Sequence, residues 1–175
     1  MKNPGQLNWR GFSFLKQFAS LEPFIDMKLV KALIGGFAGA IALNILHETV
    51  KRYYEKAPRI DLLGEEALEK SMEAVGAEPP EGKNLYLATL AGDVISNGLY
   101  YSAIGIGGTK NIYIKGTVAG LAAGIGALEL PAPMGLDDLP VTYSNPTKAL
   151  TVSWYLFGGL VAAAVIDALE NKRKI

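Results

Sequence analysis

The spacing of the formal charges leaves this chain few folds. Lys31 and Glu48 are separated by sixteen residues without one, ALIGGFAGAIALNILH, and Ala149 to Ile166 again carries none, ALTVSWYLFGGLVAAAVI. Between Lys83 and Lys115 the only charges are Asp93 and Lys110, and between Lys115 and Asp137 there is only Glu129. A helix needs about 20 mostly apolar residues to cross a hydrocarbon layer about 30 Å thick. Four windows meet that standard: about 29–49, 85–106, 112–130 and 149–168.

Their glycines point the same way. Gly35, Gly36 and Gly39 fall in the first window, and Gly116, Gly120 and Gly124 repeat the GxxxG spacing in the third. In water each helical glycine costs about 1 kcal/mol relative to alanine. In a bilayer such residues let helix backbones pack closely. The pattern predicts an all-α integral membrane bundle of four transmembrane helices, residues 27–175 forming one domain packed through these glycines. A soluble bundle with an Ala/Gly core is the alternative. Aromatic residues flank the windows as interfacial belts would: Tyr53, Tyr54 and Tyr86, then Tyr100, Tyr101 and Tyr113, then Tyr143, Trp154 and Tyr155.

With both termini on one side, that side holds ten Lys/Arg against seven on the other, which places both termini in the cytoplasm. Residues 1–26 place Phe14, Phe18, Leu21 and Ile25 at helical spacing among Arg10 and Lys16, the pattern of an amphipathic helix lying in the interface. Met27 also reads as a translation start, and the run to Ala42 imitates a cleavable signal. A retained helix is expected, because the apolar run continues to Leu46.

Outside the membrane, the 50–84 connection holds a helix over about 65–75. It carries an apolar stripe of Leu68, Met72 and Val75, with Asp61 as a capping residue before it, Pro58 breaking the first helix's extension and Gly76 ending it. The stripe packs on the bundle end or docks a partner. The 131–148 connection has few regular-structure signals.

Composition excludes several chemistries. Lys and Arg number 17, as do Asp and Glu, so no nucleic-acid partner is expected. There is no cysteine and one histidine, which rules out thiol catalysis, a bis-His haem and a typical zinc site. No phosphate-binding glycine loop or nucleophile elbow occurs. No catalytic residue is assigned and no cofactor is expected, with metal binding left open.

Polar residues inside the windows are the functional candidates, because ionisable groups are expensive there. They are Asn44, His47 and Glu48 on the first helix, Asp93 and Asn97 on the second, and Glu129 on the third. At a rise of about 1.5 Å per residue, Asp93 lies about 12 Å below the face where the first helix ends and the third returns. All fall in the half that opens toward 50–84 and 131–148. By helical phase, Glu129 projects away from the glycine stripe, so the convergence is incomplete.

The stretches ALNILHETVKRYYEKAPRIDLLGEEAL and GLAAGIGALELPAPMGL…SNPTKALTVSWYLFGGLVAA resemble a family of small bacterial four-helix membrane proteins with no assigned activity. The resemblance covers about 28–170 and implies a bacterial inner-membrane location without adding a catalytic residue. Three function classes follow. The first is a small channel or transporter, as a homo-oligomer, whose acidic vestibule binds cations or protons. The second is a non-catalytic membrane subunit, assembly factor or docking partner. The third, ranked last because no nucleophile is evident, is a lipid-acting membrane enzyme.

Overall fold

The computed structural model describes residues 27–171, and the amphipathic segment expected over 1–26 lies outside them. Among the described residues the fold is all helical, without strands. Four long helices, α1 (Met27–Val50), α3 (Gly82–Ser102), α4 (Ile112–Glu129) and α6 (Asn145–Asn171), run alternately up and down. Two shorter ones, α2 (Ile60–Ala74) and α5 (Leu139–Thr142), lie at the end where α1 finishes. Helix α6 packs along α1 on one side and α4 on the other, and α1 packs along α3. Helices α3 and α4 are joined by a short loop yet barely touch.

Glycine sets this order. A Cβ on Gly36 would collide with Ser102 and the Gly98 carbonyl of α3, and one on Gly35 or Gly39 would collide with α6. On α4, a Cβ at Gly120 would lie 2.6 Å from Leu156 Cα, and one at Gly124 2.7 Å from Val152 Cα, so α6 seats directly on the glycine stripe. The GxxxG repeat is thus consumed inside the chain. The α3–α4 loop turns through Gly107 and Gly108, both at positive φ, and Asn111 at φ 56°. Lys115 Nζ closes it by donating to the Ile106 and Gly108 carbonyls, each at 2.9 Å.

Two helices, α1 and α6, are long and apolar enough to cross a membrane. Helices α3 and α4 fall short of that standard: α3 carries Lys83, Asp93 and Asn97, and α4 has 18 residues with Lys115 and Glu129 among them. The expected aromatic belts need correction. Tyr53, Tyr143 and Tyr113 are exposed, but Tyr101, Trp154 and Tyr155 are core residues. The absence of a side chain at Gly158 admits the Tyr101 ring, whose Oη donates to the Tyr155 carbonyl at 2.8 Å.

The connections also differ from expectation. Helix α1 stops at Val50, eight residues before the buried Pro58, so the proline shapes the fold-back rather than the helix end. Helix α2 begins at Ile60 with Arg59 as its N-cap, and Asp61 makes no capping bond. It ends as expected at Gly76, whose φ of 74° lets the Gly76 and Ala77 amides bond back to Glu73 and Met72. The 131–148 stretch is more regular than its composition suggests. It holds a 3-10 turn at Ala132–Met134 and the short α5. Ser144 then receives the Thr147 amide and starts α6 ahead of Pro146, whose missing N–H costs nothing in a first turn.

Candidate functional site

Helix α1 aligns Asn44, His47 and Glu48 on one face because they recur at helical spacing. Helix α3 does the same with Tyr86, Thr89 and Asp93. Helix α2 folds over both, presenting Ile60, Leu63, Gly64 and Ala67 rather than the expected Leu68, Met72 and Val75. Val75 is left 78% exposed. Gly64 sets how closely α2 approaches α3, since a Cβ there would lie 2.7 Å from Thr89 Cγ2. With Leu136 and Tyr155, these residues enclose a cavity of about 210 Å³.

Asp93 forms its polar floor. Asn44 Nδ2 donates to Asp93 Oδ2 at 2.7 Å and Asn97 Nδ2 to Oδ1 at 2.8 Å. His47 forms the wall, 3% exposed, its ring against Trp154 with centroids 5.5 Å apart. Carboxylate oxygens face both ring nitrogens: Glu48 Oε1 is 3.6 Å from Nδ1, and Asp61 Oδ1 is 3.5 Å from Nε2. Lys51 Nζ bridges the same two carboxylates, donating to Glu48 at 2.5 Å and to Asp61 at 3.1 Å, and lies 5.1 Å from the centre of the Tyr86 ring. Arg59 forks onto Asp61 through Nε and Nη2, both at 2.9 Å. Burial alone would raise the pKa of Asp61, but the His47, Arg59 and Lys51 side chains outweigh it and hold the carboxyl far below the usual carboxylate range.

Two buried side-chain polar atoms among the described residues have no hydrogen-bond partner, His47 Nε2 and Thr89 Oγ1. Both residues line this cavity. Such orphans are costly, at about 1–3 kcal/mol each, so each calls for an explanation such as strain, a catalytic role, an ion or a water. A neutral imidazole has one N–H, so one of its nitrogens must turn a lone pair toward a carboxylate here. Only a second proton on the ring, or a donor placed between ring and carboxylate, satisfies both sides. No group of three His, Asp or Glu residues among the described ones could hold a metal ion.

Five of the six sequence candidates are therefore brought together: Asn44, His47, Glu48 and Asp93 line the cavity, and Asn97 supports Asp93. Glu129, the sixth candidate, is exposed at the end of α4 and does not line this cavity. Sequence reasoning missed Asp61, Lys51, Arg59 and Thr89. The signal available for Lys51 was its i,i+3 spacing from Glu48, whereas Asp61 joins the site only through the chain reversal at Pro58.

No protein-family model, curated protein or solved structure matches this chain. The resemblance to bacterial membrane proteins gains no support from those comparisons, and the functional reading stands on geometry alone.

Proposed function

We propose that this chain is a four-span membrane protein that handles protons or monovalent cations, with the His47 cavity as its working site. The membrane reading draws on the outer faces of α3 and α4, the two helices too polar to meet the spanning standard. From Leu87 to Tyr100 the exposed residues of α3 are Leu87, Ala88, Ala91, Gly92, Ile95, Ser96, Leu99 and Tyr100, none of them charged. The exposed face of α4 is Tyr113, Ile114, Val118, Leu121, Ala122 and Ile125 until Glu129 at its end. Ile34, Ile41 and Ile45 of α1 and Phe157 of α6 extend the belt around the bundle. Water-facing helices carry their charges on this side, and an apolar surface so extensive calls for lipid.

The observation that carries the functional reading is His47 between two carboxylates with Nε2 unpartnered. Three carboxylates, Glu48, Asp61 and Asp93, stand with two fixed cations, Lys51 and Arg59, so a proton or monovalent cation balances the cluster. Beyond Asp93 the bundle is filled by Ala40 and Tyr101, both fully buried. That favours a site reached from one end over an open pore, and hence a transporter over a channel. The docking alternative would use the stripe that α2 turns away from the cavity, where Val75 is 78% exposed.

Proton and cation flux in proteoliposomes tests the proposal. Wild-type protein is expected to exceed empty vesicles, and His47→Gln or Asp93→Asn to lower the flux tenfold or more while leaving the fold intact. Folded wild type without flux above empty vesicles would overturn it.

A further inference from the structure

The cavity has an apolar neighbour. Tyr100 Oη spans the gap between α3 and α4 to reach the Ala119 carbonyl at 2.9 Å. On the α2 side of that bridge, a groove of about 500 Å³ runs along the outside of the bundle, with Ala122, Ala123, Gly126 and Ala127 of α4 in its lining. It exists because α4 offers only small side chains there. Groove and cavity share three wall residues, Leu63, Leu136 and Tyr155. Asn97 lines the groove while donating to Asp93 in the cavity. Groove and cavity thus abut along these shared residues, and the groove has the volume of a small-molecule site.

Resting on the membrane and cavity readings above, we infer that the substrate class is a cationic amphiphile. A protonated amine head occupies the cavity, and its hydrocarbon tail lies in the α3–α4 groove. The charges fit this occupant, because the cluster's carboxylates outnumber its fixed cations by one. So does the orphaned Thr89 Oγ1, since an ammonium is three donors with no acceptor and this hydroxyl lacks a bond. Asp93 accepts one bond at each oxygen and keeps lone pairs for a third. The apolar share of the cavity wall, Ile60, Leu63 and Leu90, has no use for a hydrated inorganic ion but suits the first methylenes of a chain.

The full chain in phosphatidylcholine nanodiscs, titrated with dodecylamine and with butylamine, tests this, with empty nanodiscs as the reference. Saturable 1:1 binding of dodecylamine is expected, at least tenfold tighter than that of butylamine. Asp93→Asn, which removes the head's partner, and Ala123→Phe, which fills the groove, should each weaken it tenfold or more. Ala122→Phe, on the groove's exposed rim, serves as a second filling variant if Ala123→Phe does not assemble. Wild-type affinity in a folded groove-filled variant would overturn the inference. So would dodecylamine uptake no greater than that of empty nanodiscs, even with proton flux intact, which would leave the proton-handling reading standing. Amine binding that tracks both variants without any proton flux would retain the amine site and remove the proton-handling reading instead.

Discussion

Asn44 ties α1 to α3 by donating its Nδ2 to Asp93 Oδ2 at 2.7 Å, and the same amide nitrogen also donates to the Ala40 carbonyl one turn back at 3.0 Å. The second bond fixes the rotamer that makes the first possible. Asp93 therefore sits on a donor held in place by its own helix, with Asn97 below it on α3. This is how a carboxylate can stand about eight residues inside a largely uncharged helix. Its oxygens are solvated by side-chain amides instead of water.

Replacing Asn44 with leucine keeps the volume and removes the donor, leaving the carboxylate under-solvated. The expected loss is about 1.5–3 kcal/mol, the usual size for a hydrogen bond to a charged group. Asn44→Leu in an Asp93→Leu background should cost much less, because the acceptor has gone. A double-mutant cycle by unfolding in detergent reads the difference, and additive single losses would mean that the bond contributes nothing.

The helices and their up-and-down order were legible from charge spacing and glycine content, because both act along a single helix. The cavity was half legible for the same reason. Asn44, His47 and Glu48 share a face by spacing alone, as do Asp93 and Asn97. Asp61, Arg59 and Thr89 were not, since their place depends on where α2 folds back, which local pattern does not encode. Trp154 and Tyr155 were misread as interfacial because a tyrosine or tryptophan near a helix start satisfies a belt and a core equally well. Burial decides between them, and burial belongs to the packing of α6 on α1.

The glycine stripe of α4 supplies an internal contrast. At Gly120 a Cβ meets only backbone, Leu156 Cα at 2.6 Å and the Tyr155 carbonyl at 2.8 Å, so α6 must move. At Gly126 it meets only the Leu130 Cδ1 methyl at 3.4 Å. Gly120→Ala should therefore destabilise by about 1–3 kcal/mol, as overpacking does. Gly126→Ala should be neutral or gain up to about 1 kcal/mol from helix propensity. Thermal unfolding of the two variants side by side checks the contrast, and equal midpoints would show that α4 and α6 do not seat as described.

Acid should loosen α2 through Asp61. Its carboxyl is held below the ordinary range by His47, Arg59 and Lys51 against the opposing effect of burial. A depressed carboxylate stabilises the folded form above the unfolded pKa, near ~3.9, and the contribution drains away as pH falls below that value. Hydrogen-exchange protection over α2 should be level above about pH 5 and drop roughly tenfold per pH unit below about pH 4, since one pKa unit equals about 1.4 kcal/mol. Asp61→Asn should lower protection at neutral pH and flatten the acid limb. An unchanged acid limb in Asp61→Asn would assign the acid response to Glu48 instead.

Because the chain has no cysteine, single cysteines report position without background. Ile95, Val118 and Ile125 are each about half exposed or more on the outer faces of α3 and α4, whereas Tyr53 and Tyr143 are exposed at the end where α2 lies. If all four long helices cross a bilayer, spin labels at the first three sites collide with dissolved oxygen and are shielded from a water-soluble nickel complex. Labels at Tyr53 and Tyr143 do the reverse. The first group should also resist a membrane-impermeant maleimide that modifies the second within minutes. Equal aqueous reactivity at Ile95, Val118 and Tyr53 in protein reconstituted with lipid would place α3 and α4 in water and leave α1 and α6 as the only spans among the described residues. That result would also remove the lipid in which the α3–α4 groove is proposed to receive its hydrocarbon chain.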